Sequence, residues 1–327
     1  MPTKQTTQSR FSVINLLWDA WCLLSVVGIW PRFIEPYLLC TSKLQVSIPS
    51  LPQSLDGLKI VQLTDLHLYE GISEKFLRKI SKNIQDIKPD IIVFTGDFIC
   101  YSRLDTPSIL KDFLNSLHAP YGCYAILGNH DYEQFVSVNA KGDYDIIRPT
   151  SSLGMGFARF FHTLNLTKKT TSEAAGLKPN KQLVELLKDT PFKLLNNSTS
   201  TIHIKDAGLN ITGLGEYMLK KMEPEIAFQG YDQRYPGLIL LHNPDGAPLL
   251  QNYPGDIILS GHTHGGQINL PWMWKKFTLM EHMQYKKGLH HLGQKHLYVN
   301  RGVGSVIPFR WFSPPELLIL ELKSCQK

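Results

Sequence analysis

The sequence contains little cysteine, and none of it is arranged for structural use. Five cysteines occur among 327 residues, widely spaced and without any CxxC pair: Cys22, Cys40, Cys100, Cys123 and Cys325. A disulfide framework and a zinc ribbon both need closely spaced, paired cysteines, so neither is indicated. We therefore expect the chain to work in a reducing cytosol.

The sequence also lacks internal repeats, low-complexity segments and any stripe of basic residues. Its 34 lysines and arginines exceed its 28 aspartates and glutamates, which gives a formal net charge of +6. This excess favours anionic partners such as phosphorylated molecules or acidic lipid surfaces. Because the basic residues are scattered, we expect no nucleic-acid partner. No feature of the sequence indicates an oligomeric state.

Long apolar runs are scarce, and the one that occurs lies near the N-terminus. Residues 11–30 reach the roughly 20 residues that a membrane-spanning helix requires. Ser12, Asn15 and Asp19 recur at helical spacing, so a helix here carries a polar stripe. An aspartate costs roughly 2.5 to 3.5 kcal/mol inside a span but little on the wet face of an interfacial helix. We predict that residues 1–43 associate with a membrane, by lying on it or by spanning it, with a buried core helix as the third alternative.

From Leu44 onward, short apolar strands alternate with helices. Strands are predicted at 58–64, 91–95 and 123–127 and again at 209–214, 237–241 and 256–260, with helices from about Ser73 and near 106–117. Such repeated strand–helix units predict an α/β fold of parallel strands with helices on both faces of the sheet. Residues 135–180 break the alternation, and we predict that they form an inserted lid within a catalytic domain of residues 44–327.

Metal-ligand side chains follow several of these strands. They lie in the segments TDLH, TGD, LGNHD, LLHNPD and SGHTHGGQ, as Asp65, His67, Asp97, Asn129, His242, His262 and His264. The carboxyl ends of parallel strands meet at one edge of a sheet, so we expect these donors to converge there. Seven nitrogen and oxygen donors without a thiolate suit manganese, iron or zinc better than calcium, and they argue against a structural zinc site. Asp97, with two carboxylate oxygens, could bridge two ions.

This motif series resembles that of the calcineurin-like metallophosphoesterases, from about residue 58 to the C-terminus. The resemblance implies a four-layer β-sandwich flanked by helices, and a hydrolase with two divalent ions, of which Mn²⁺ is the one we expect. It assigns Asp65, His67, Asp97 and His264 to the first ion, and Asp97, Asn129, His242 and His262 to the second. It makes His130 the catalytic group that acts on the leaving oxygen. Many family members carry an acid three residues after the TGD aspartate to orient this histidine, but here that position is Cys100.

Further segments resemble a membrane-associated branch of the family that includes a UDP-2,3-diacylglucosamine pyrophosphatase of lipid A biosynthesis. They are HNPD, GHTHGGQINLP, LYVNRGVG, PFR and PPELLIL. Two aromatic and basic patches, at 154–166 and 271–277, suit contact with lipid. Candidate substrate contacts are Arg148, Arg159 and Arg301, with Arg310 as a further possibility.

Three functions follow as hypotheses. The first is hydrolysis of the lipid-linked sugar nucleotide UDP-2,3-diacylglucosamine to UMP and the lipid 1-phosphate, at the cytoplasmic face of the bacterial inner membrane. The second is a general phosphodiesterase or phosphatase that acts outside the cytoplasm. The third is a non-catalytic metal-binding scaffold, which would be expected to have lost some of the seven ligands.

Overall fold

The computed structural model describes residues 16–49, 51–148, 165–271 and 274–324. Its helices are α1 (Leu16–Tyr37), α2 (Glu74–Ile87), α3 (Pro107–Asn115), α4 (Ser172–Gly176), α5 (Lys181–Lys188), α6 (Pro224–Ala227) and α7 (Trp274–Phe277). Short 3₁₀ turns occur at Gln53–Leu55, Pro244–Leu250, His264–Gly266 and Met283–Lys286. The strands are β1 (Cys40–Ile48), β2 (Lys59–Leu63), β3 (Ile91–Thr95), β4 (Cys123–Ile126), β5 (Val136–Val138), β6 (Tyr144–Ile146), β7 (Phe192–Leu194), β8 (Ser198–Ile204), β9 (Ala207–Gly213), β10 (Gly237–Leu240), β11 (Ile257–Ser260), β12 (Gly288–Leu292), β13 (Lys295–Val299) and β14 (Glu316–Ser324).

Two six-stranded sheets carry the fold. The first has the order β1-β14-β2-β3-β4-β7, in which β2, β3, β4 and β7 are parallel and β14 runs antiparallel to β2. The second has the order β12-β13-β11-β10-β9-β8, in which the four central strands are parallel. The parallel cores of both sheets match the strand–helix alternation of the sequence.

The sheets pack face to face, which makes the predicted four-layer architecture correct. One buried cluster joins Ile60 and Val93 of the first sheet to Leu209 and Leu240 of the second. A second cluster packs α2, α3 and α5 on the outer face of the first sheet, and a third packs residues 247–250 and α6 on the outer face of the second. The expectation of helices on both faces of a single sheet was wrong, because each sheet buries its inner face against the other sheet.

Helix α2 shows how the local sequence produces this layering. Its residues Phe76, Leu77, Ile80 and Ile84 recur at helical spacing and form the buried stripe that faces the sheet. Lys88, in the left-handed conformation, ends the helix, and Pro89 prevents its continuation. The predicted strands agree with the observed ones to within about two residues at each end.

The region predicted as an insert contains the β5–β6 hairpin and α4. Tyr144 of β6 also bonds to the main chain of Lys169 and Thr171, so the two described parts of this region are joined to each other. Residues 149–164, which include Arg159 and most of the first aromatic patch, lie outside the described residues, as do Trp272 and Met273 of the second.

Helix α1 is long and apolar enough to serve as a membrane anchor. Its second half, Ser25–Ile34, is wound as a wide helix around Pro31. Most of its large apolar side chains are exposed, among them Trp18, Leu23 and Phe33. The polar positions Ser12 and Asn15 of the predicted stripe lie outside the described residues.

Candidate metal centre

The seven donors predicted from sequence lie together at the carboxyl ends of the parallel strands. They follow β2, β3, β4, β10 and β11, as Asp65 and His67, Asp97, Asn129, His242, and His262 with His264, respectively. All but His262 are more than nine-tenths buried. Five separate loops of two sheets therefore supply one buried cluster of nitrogen and oxygen atoms.

One half of the cluster consists of Asp65, His67 and His264. The Nε2 atoms of the two histidines are 2.9 Å apart. Asp65 Oδ1 lies 3.5 Å from His264 Nε2 and 3.8 Å from His67 Nε2. Thr64 Oγ1 donates to Asp65 Oδ2 over 2.8 Å and so orients the carboxylate. Three ligand atoms of this half can contact one ion.

The other half consists of Asp97, His242 and His262, together with Asn129. Asn129 Oδ1 lies 3.2 Å from His242 Nε2 and 3.0 Å from His262 Nδ1. Asp97 joins the two halves, since its Oδ2 is 3.3 Å from His242 Nε2 and 3.5 Å from His67 Nε2. This is the shared position that a bridging carboxylate requires.

Most of the donor residues have an unusual backbone conformation. Asp65, His67, Asp97, His262 and His264 all have positive φ, between 45° and 69°. This left-handed region is unfavourable for residues other than glycine and is occupied where the surrounding structure enforces it, often at functional sites. Conformational strain is thus concentrated in the predicted ligands.

Two glycines make room for the cluster. A Cβ atom at Gly128 would collide with the carboxylate of Asp97, and one at Gly261 would collide with Thr64 and with the carboxylate of Asp65. Any side chain at either position would displace a donor oxygen.

The charges of the cluster favour a cation. Burial would lower the pKa of His67, but the carboxylates of Asp97 and Asp65 outweigh it and raise the pKa to about 10. Burial likewise opposes protonation of His242, whose pKa Asp97 nevertheless raises well above its ordinary value. Both shifts show that the two carboxylates stabilise positive charge at the imidazole nitrogens.

The hydrogen bonds around the cluster also fit metal ions. His242 Nδ1 donates to the carbonyl oxygen of Thr95 over 2.7 Å, so in the neutral ring Nε2 carries a lone pair. Asn129 Nδ2 donates to the carbonyl of Val136 over 2.9 Å, which turns Oδ1 toward His242 Nε2. Two lone pairs then face each other, an arrangement that a cation between them stabilises.

Asp131, which follows the histidine of the GNHD motif, holds two of the ligand loops together. Its buried carboxylate accepts main-chain N–H groups of Asp97 (2.7 Å), Phe98 (2.9 Å), Ile99 (3.2 Å) and Gly128 (2.9 Å). Asp131 belongs to the LGNHD motif, but no role was predicted for it from the sequence. The aspartate beside the ligand and the candidate acid was the signal that could have identified it.

His130 lies beside the cluster, and a main-chain group fixes its ring. Its Nδ1 accepts the main-chain N–H of Tyr101 over 2.9 Å, while the main-chain N–H of His130 donates to Asp97 Oδ1 over 2.9 Å. With Nδ1 as the acceptor, the proton of the neutral ring is on Nε2. Burial and the surrounding imidazoles lower the pKa of His130 to about 3, which keeps the ring neutral.

Cys100 lies where many family members carry an acid. Its Sγ is within 4.8 Å of ring nitrogens of His67 and His130 and is directed toward the carbonyl oxygen of Val306. The Tyr101 N–H therefore orients His130 in place of an acidic side chain.

The candidate substrate arginines have different surroundings. Arg148 is exposed. Arg301 bonds through Nε to Glu316 over 3.1 Å. Arg310 is fully buried, donates to backbone carbonyls of its own loop and lies 3.3 Å from His264 Nδ1, so its side chain supports the metal-site loop.

A cavity of about 200 Å³ opens beside the cluster. Its polar wall includes Asp97, Asn129, His130, His262 and His264. The remainder is mainly apolar, with Phe135, Val138, Met218, Ile268, Leu279, Met280, Val306 and Ile307. An apolar group and a phosphate could therefore occupy the cavity together.

Comparison with known proteins gives concordant findings. The family model described as calcineurin-like phosphoesterase matches residues 58–266. The chain is 40% identical to UDP-2,3-diacylglucosamine pyrophosphatase LpxG of Chlamydia trachomatis, over 89% of this chain and 92% of that protein. It is 41% identical to LpxG of Chlamydia muridarum, with the same coverage. It is 28% identical to phosphodiesterase YaeI of Escherichia coli, over 81% of this chain and 82% of that protein.

Proposed function

Since the chain belongs to the calcineurin-like phosphoesterase family and is a metal-dependent phosphoester or pyrophosphate hydrolase, we propose that its seven clustered donors hold two divalent ions. Asp65, His67 and His264 would bind one ion, His242, His262 and Asn129 would bind the other, and Asp97 would bind both. The donor set and the positive charge it favours support this assignment. The mixture of imidazole, carboxylate and amide suits Mn²⁺.

Each part of the site then has a task in the reaction. Two ions held there would activate a water nucleophile and neutralise charge on the phosphate oxygens. His130, neutral and with its proton on Nε2, donates a hydrogen bond to the oxygen that leaves. Asp131 holds the loops of Asp97 and Gly128 in fixed relative positions, and this keeps the carboxylate of Asp97 in place between the two halves of the site.

The proposed substrate is UDP-2,3-diacylglucosamine. Water adds to one phosphorus and the bond to the bridging oxygen breaks, which yields UMP and 2,3-diacylglucosamine 1-phosphate (lipid X), an intermediate of lipid A biosynthesis. The observation that carries this proposal is the apolar wall of the cavity directly beside the donors, because a diacylated sugar needs such a surface next to its pyrophosphate. Two LpxG relatives at 40% identity or above support the same substrate.

Helix α1 supports a place of action at the membrane. Its exposed apolar length suits an anchor for an enzyme whose substrate lies in a bilayer. We place the catalytic domain at the cytoplasmic face of the inner membrane, where a UDP-linked lipid is accessible.

The test uses the full chain in mixed micelles with Mn²⁺ and UDP-2,3-diacylglucosamine. We expect UMP to be released in equal amount to the lipid 1-phosphate, and chelation of the metal to stop the release. Absence of UMP, together with rapid hydrolysis of bis-p-nitrophenyl phosphate, would exclude the lipid substrate.

That outcome would favour the second candidate, a general phosphodiesterase acting outside the cytoplasm. The similarity to phosphodiesterase YaeI supports it. A reporter active only outside the cytoplasm, fused to the C-terminus, separates the candidates, because an exported domain cannot reach a cytosolic UDP-lipid. The chain's membership among these hydrolases argues against a non-catalytic scaffold.

A further inference from the structure

An aromatic turn, Trp311–Phe312, lies beside the catalytic cavity, with Trp311 half-buried and Phe312 exposed. The side chain of Phe312 is 55% exposed, although its backbone adopts a left-handed φ of 56°. Its ring is nearly parallel to that of Trp311, with centroids 6.1 Å apart. A phenylalanine held in an unfavourable backbone conformation and directed outward gains little from packing within the chain. Its exposed ring is therefore available for a contact outside the chain.

Hydrogen bonds join both flanks of this turn to the end of helix α1. The N–H of Arg310 donates to the carbonyl oxygen of Pro31 over 2.8 Å. The N–H of Ser313 donates to Glu35 Oε1 over 2.5 Å. Because the residues before and after the turn are both attached to α1, Trp311 and Phe312 must lie close to the end of this helix.

The end of α1 presents apolar side chains of the same kind. Trp30, Phe33 and Ile34 are all exposed, Phe33 by 62%. Trp30 is oriented by its Nε1–H, which donates to Glu35 over 2.8 Å. The helix end and the turn therefore form adjacent parts of one aromatic surface.

The other side of the turn borders the cavity. Trp311 donates its N–H to the carbonyl of Gln267 over 2.9 Å and accepts the N–H of Asn269 over 2.8 Å. Between these two partners lies Ile268, which lines the cavity, as does Ile307 before the turn. A molecule held at the turn would be next to the apolar wall of the catalytic cavity.

A cationic side chain, Lys286, accompanies the aromatic ones. Lys286 Nζ is 3.8 Å from the ring centroid of Trp274 and donates to Asn269 Oδ1 over 2.7 Å. Asn269 in turn donates to the carbonyl oxygen of Phe312 over 3.2 Å. Aromatic rings beside lysines are typical of protein surfaces that sit at the headgroups of a bilayer with anionic lipids.

We propose that the Trp311–Phe312 turn enters the headgroup region of the same bilayer that holds α1, so that the catalytic cavity opens at the lipid surface. The inference rests on the membrane anchoring in the proposed function. The diacylated substrate would then pass from the bilayer to the apolar wall at Ile268 and Ile307 without crossing bulk water, which avoids the cost of exposing its acyl chains.

Site-directed spin labelling of the full chain in vesicles containing anionic lipid tests this. Nitroxides are placed singly at Phe312→Cys, at Leu23→Cys in α1, and at Leu249→Cys, a matched exposed leucine between β10 and β11 (59% exposed). The background carries serine at Cys22, Cys40 and Cys325. We expect the labels at 23 and 312 to collide more with oxygen than with a water-soluble nickel chelate, with 312 about 5 to 10 Å below the membrane surface. The label at 249 should show the reverse preference.

Each alternative arrangement predicts a different accessibility of the spin labels to the two reagents. If the label at 23 lies in the bilayer and the label at 312 lies in water, the docking of the turn is overturned and the anchoring of α1 stands. A water-exposed label at 23 overturns the anchoring and with it the inference. A label at 312 that neither reagent reaches shows a protein partner, such as a second copy of the chain, over the turn, and also overturns it. None of these outcomes depends on which substrate is hydrolysed.

Discussion

The main-chain N–H of Tyr101 donates to Nδ1 of His130 over 2.9 Å. Cys100 occupies the position where the family resemblance implies an acid that orients this histidine. The bond from Tyr101 orients the ring of His130 instead. An acidic side chain would accept a hydrogen bond from Nδ1–H, whereas the N–H of Tyr101 can donate only to an Nδ1 that carries no proton. The proton is therefore on Nε2, and the ring acts as a hydrogen-bond donor.

Replacing His130 tests this donor role. We expect His130→Ala to lower kcat for the lipid substrate by about 10² to 10³-fold, the usual contribution of one hydrogen-bond donor to charge that develops in the transition state. Metal content, measured by mass spectrometry, should stay at the wild-type level. The loss should be smaller for bis-p-nitrophenyl phosphate, because nitrophenolate spreads its negative charge over the aromatic ring and leaves less of it on the leaving oxygen. Equal losses for both substrates would contradict a hydrogen bond from His130 to the leaving oxygen.

The proposed bridging role of Asp97 predicts a loss of metal as well as activity. Asp97→Asn removes one ligand oxygen and one negative charge shared by both halves of the site, so we expect turnover to fall by roughly a thousandfold. Bound Mn²⁺ should fall from two ions per chain to one or fewer by calorimetric titration. Asp189→Asn makes the same chemical change on the exposed end of α5 and should leave both quantities unchanged. Full metal content in Asp97→Asn would refute the bridge.

Glu281 connects the insert to the catalytic domain. Its buried carboxylate, 2% exposed, accepts Tyr144 Oη over 2.8 Å and Tyr217 Oη over 3.2 Å, and lies 3.3 Å from Lys168 Nζ. Burial and Glu281 raise the pKa of Tyr144, which keeps that phenol a donor.

We expect Glu281→Gln to weaken these bonds by about 1 kcal/mol. Because Phe135 and Val138 of the insert line the cavity, a less firmly held insert should weaken substrate binding, which corresponds to a roughly fivefold higher KM with little change in kcat. Steady-state kinetics on the lipid substrate measures this split. Glu185→Gln, on the exposed face of α5, serves as the control. A fall in kcat at unchanged KM would show that Glu281 acts on the chemical step instead.

Glu316 makes stability depend on pH. Burial would raise its pKa, but the guanidinium of Arg301 and the hydroxyls of Ser42 and Tyr298 hold it below the ordinary value of 4.5. A lowered carboxylate pKa adds stability at pH values above the ordinary pKa, and this stability is lost as the pH falls through the lower, folded-state value.

We therefore expect Glu316→Gln to destabilise the fold by about 2 kcal/mol at pH 7, and the difference from the wild type to shrink below about pH 4. Thermal unfolding followed by circular dichroism between pH 3 and 8 measures this. Glu321→Gln, more exposed on the same strand, should change stability by less than about 0.5 kcal/mol. A difference that is constant over the whole pH range would contradict the linkage.

Much of the fold was predictable from local patterns. The buried runs at 91–95 and 237–241 and the helical spacing of Phe76, Leu77 and Ile80 each report on short-range geometry. The pairing of β1 with β14 was not predictable, because it joins residues such as Cys40 and Glu316 that are far apart in sequence. The face-to-face packing of the sheets came from the family resemblance, since strand–helix alternation alone indicated helices on both sides of one sheet.

The sequence by itself determined which side chains could bind metal, because Asp65, Asp97 and His262 follow strands whose carboxyl ends must meet at one edge. Only the tertiary structure decided how those side chains are held. The bonds from Tyr101 to His130, from four main-chain N–H groups to Asp131, and from Arg310 and Ser313 to the end of α1 involve main-chain groups at positions set by the whole fold. Every residue except proline carries the same N–H group, so a sequence cannot show which of them will lie within hydrogen-bonding distance of a given side chain.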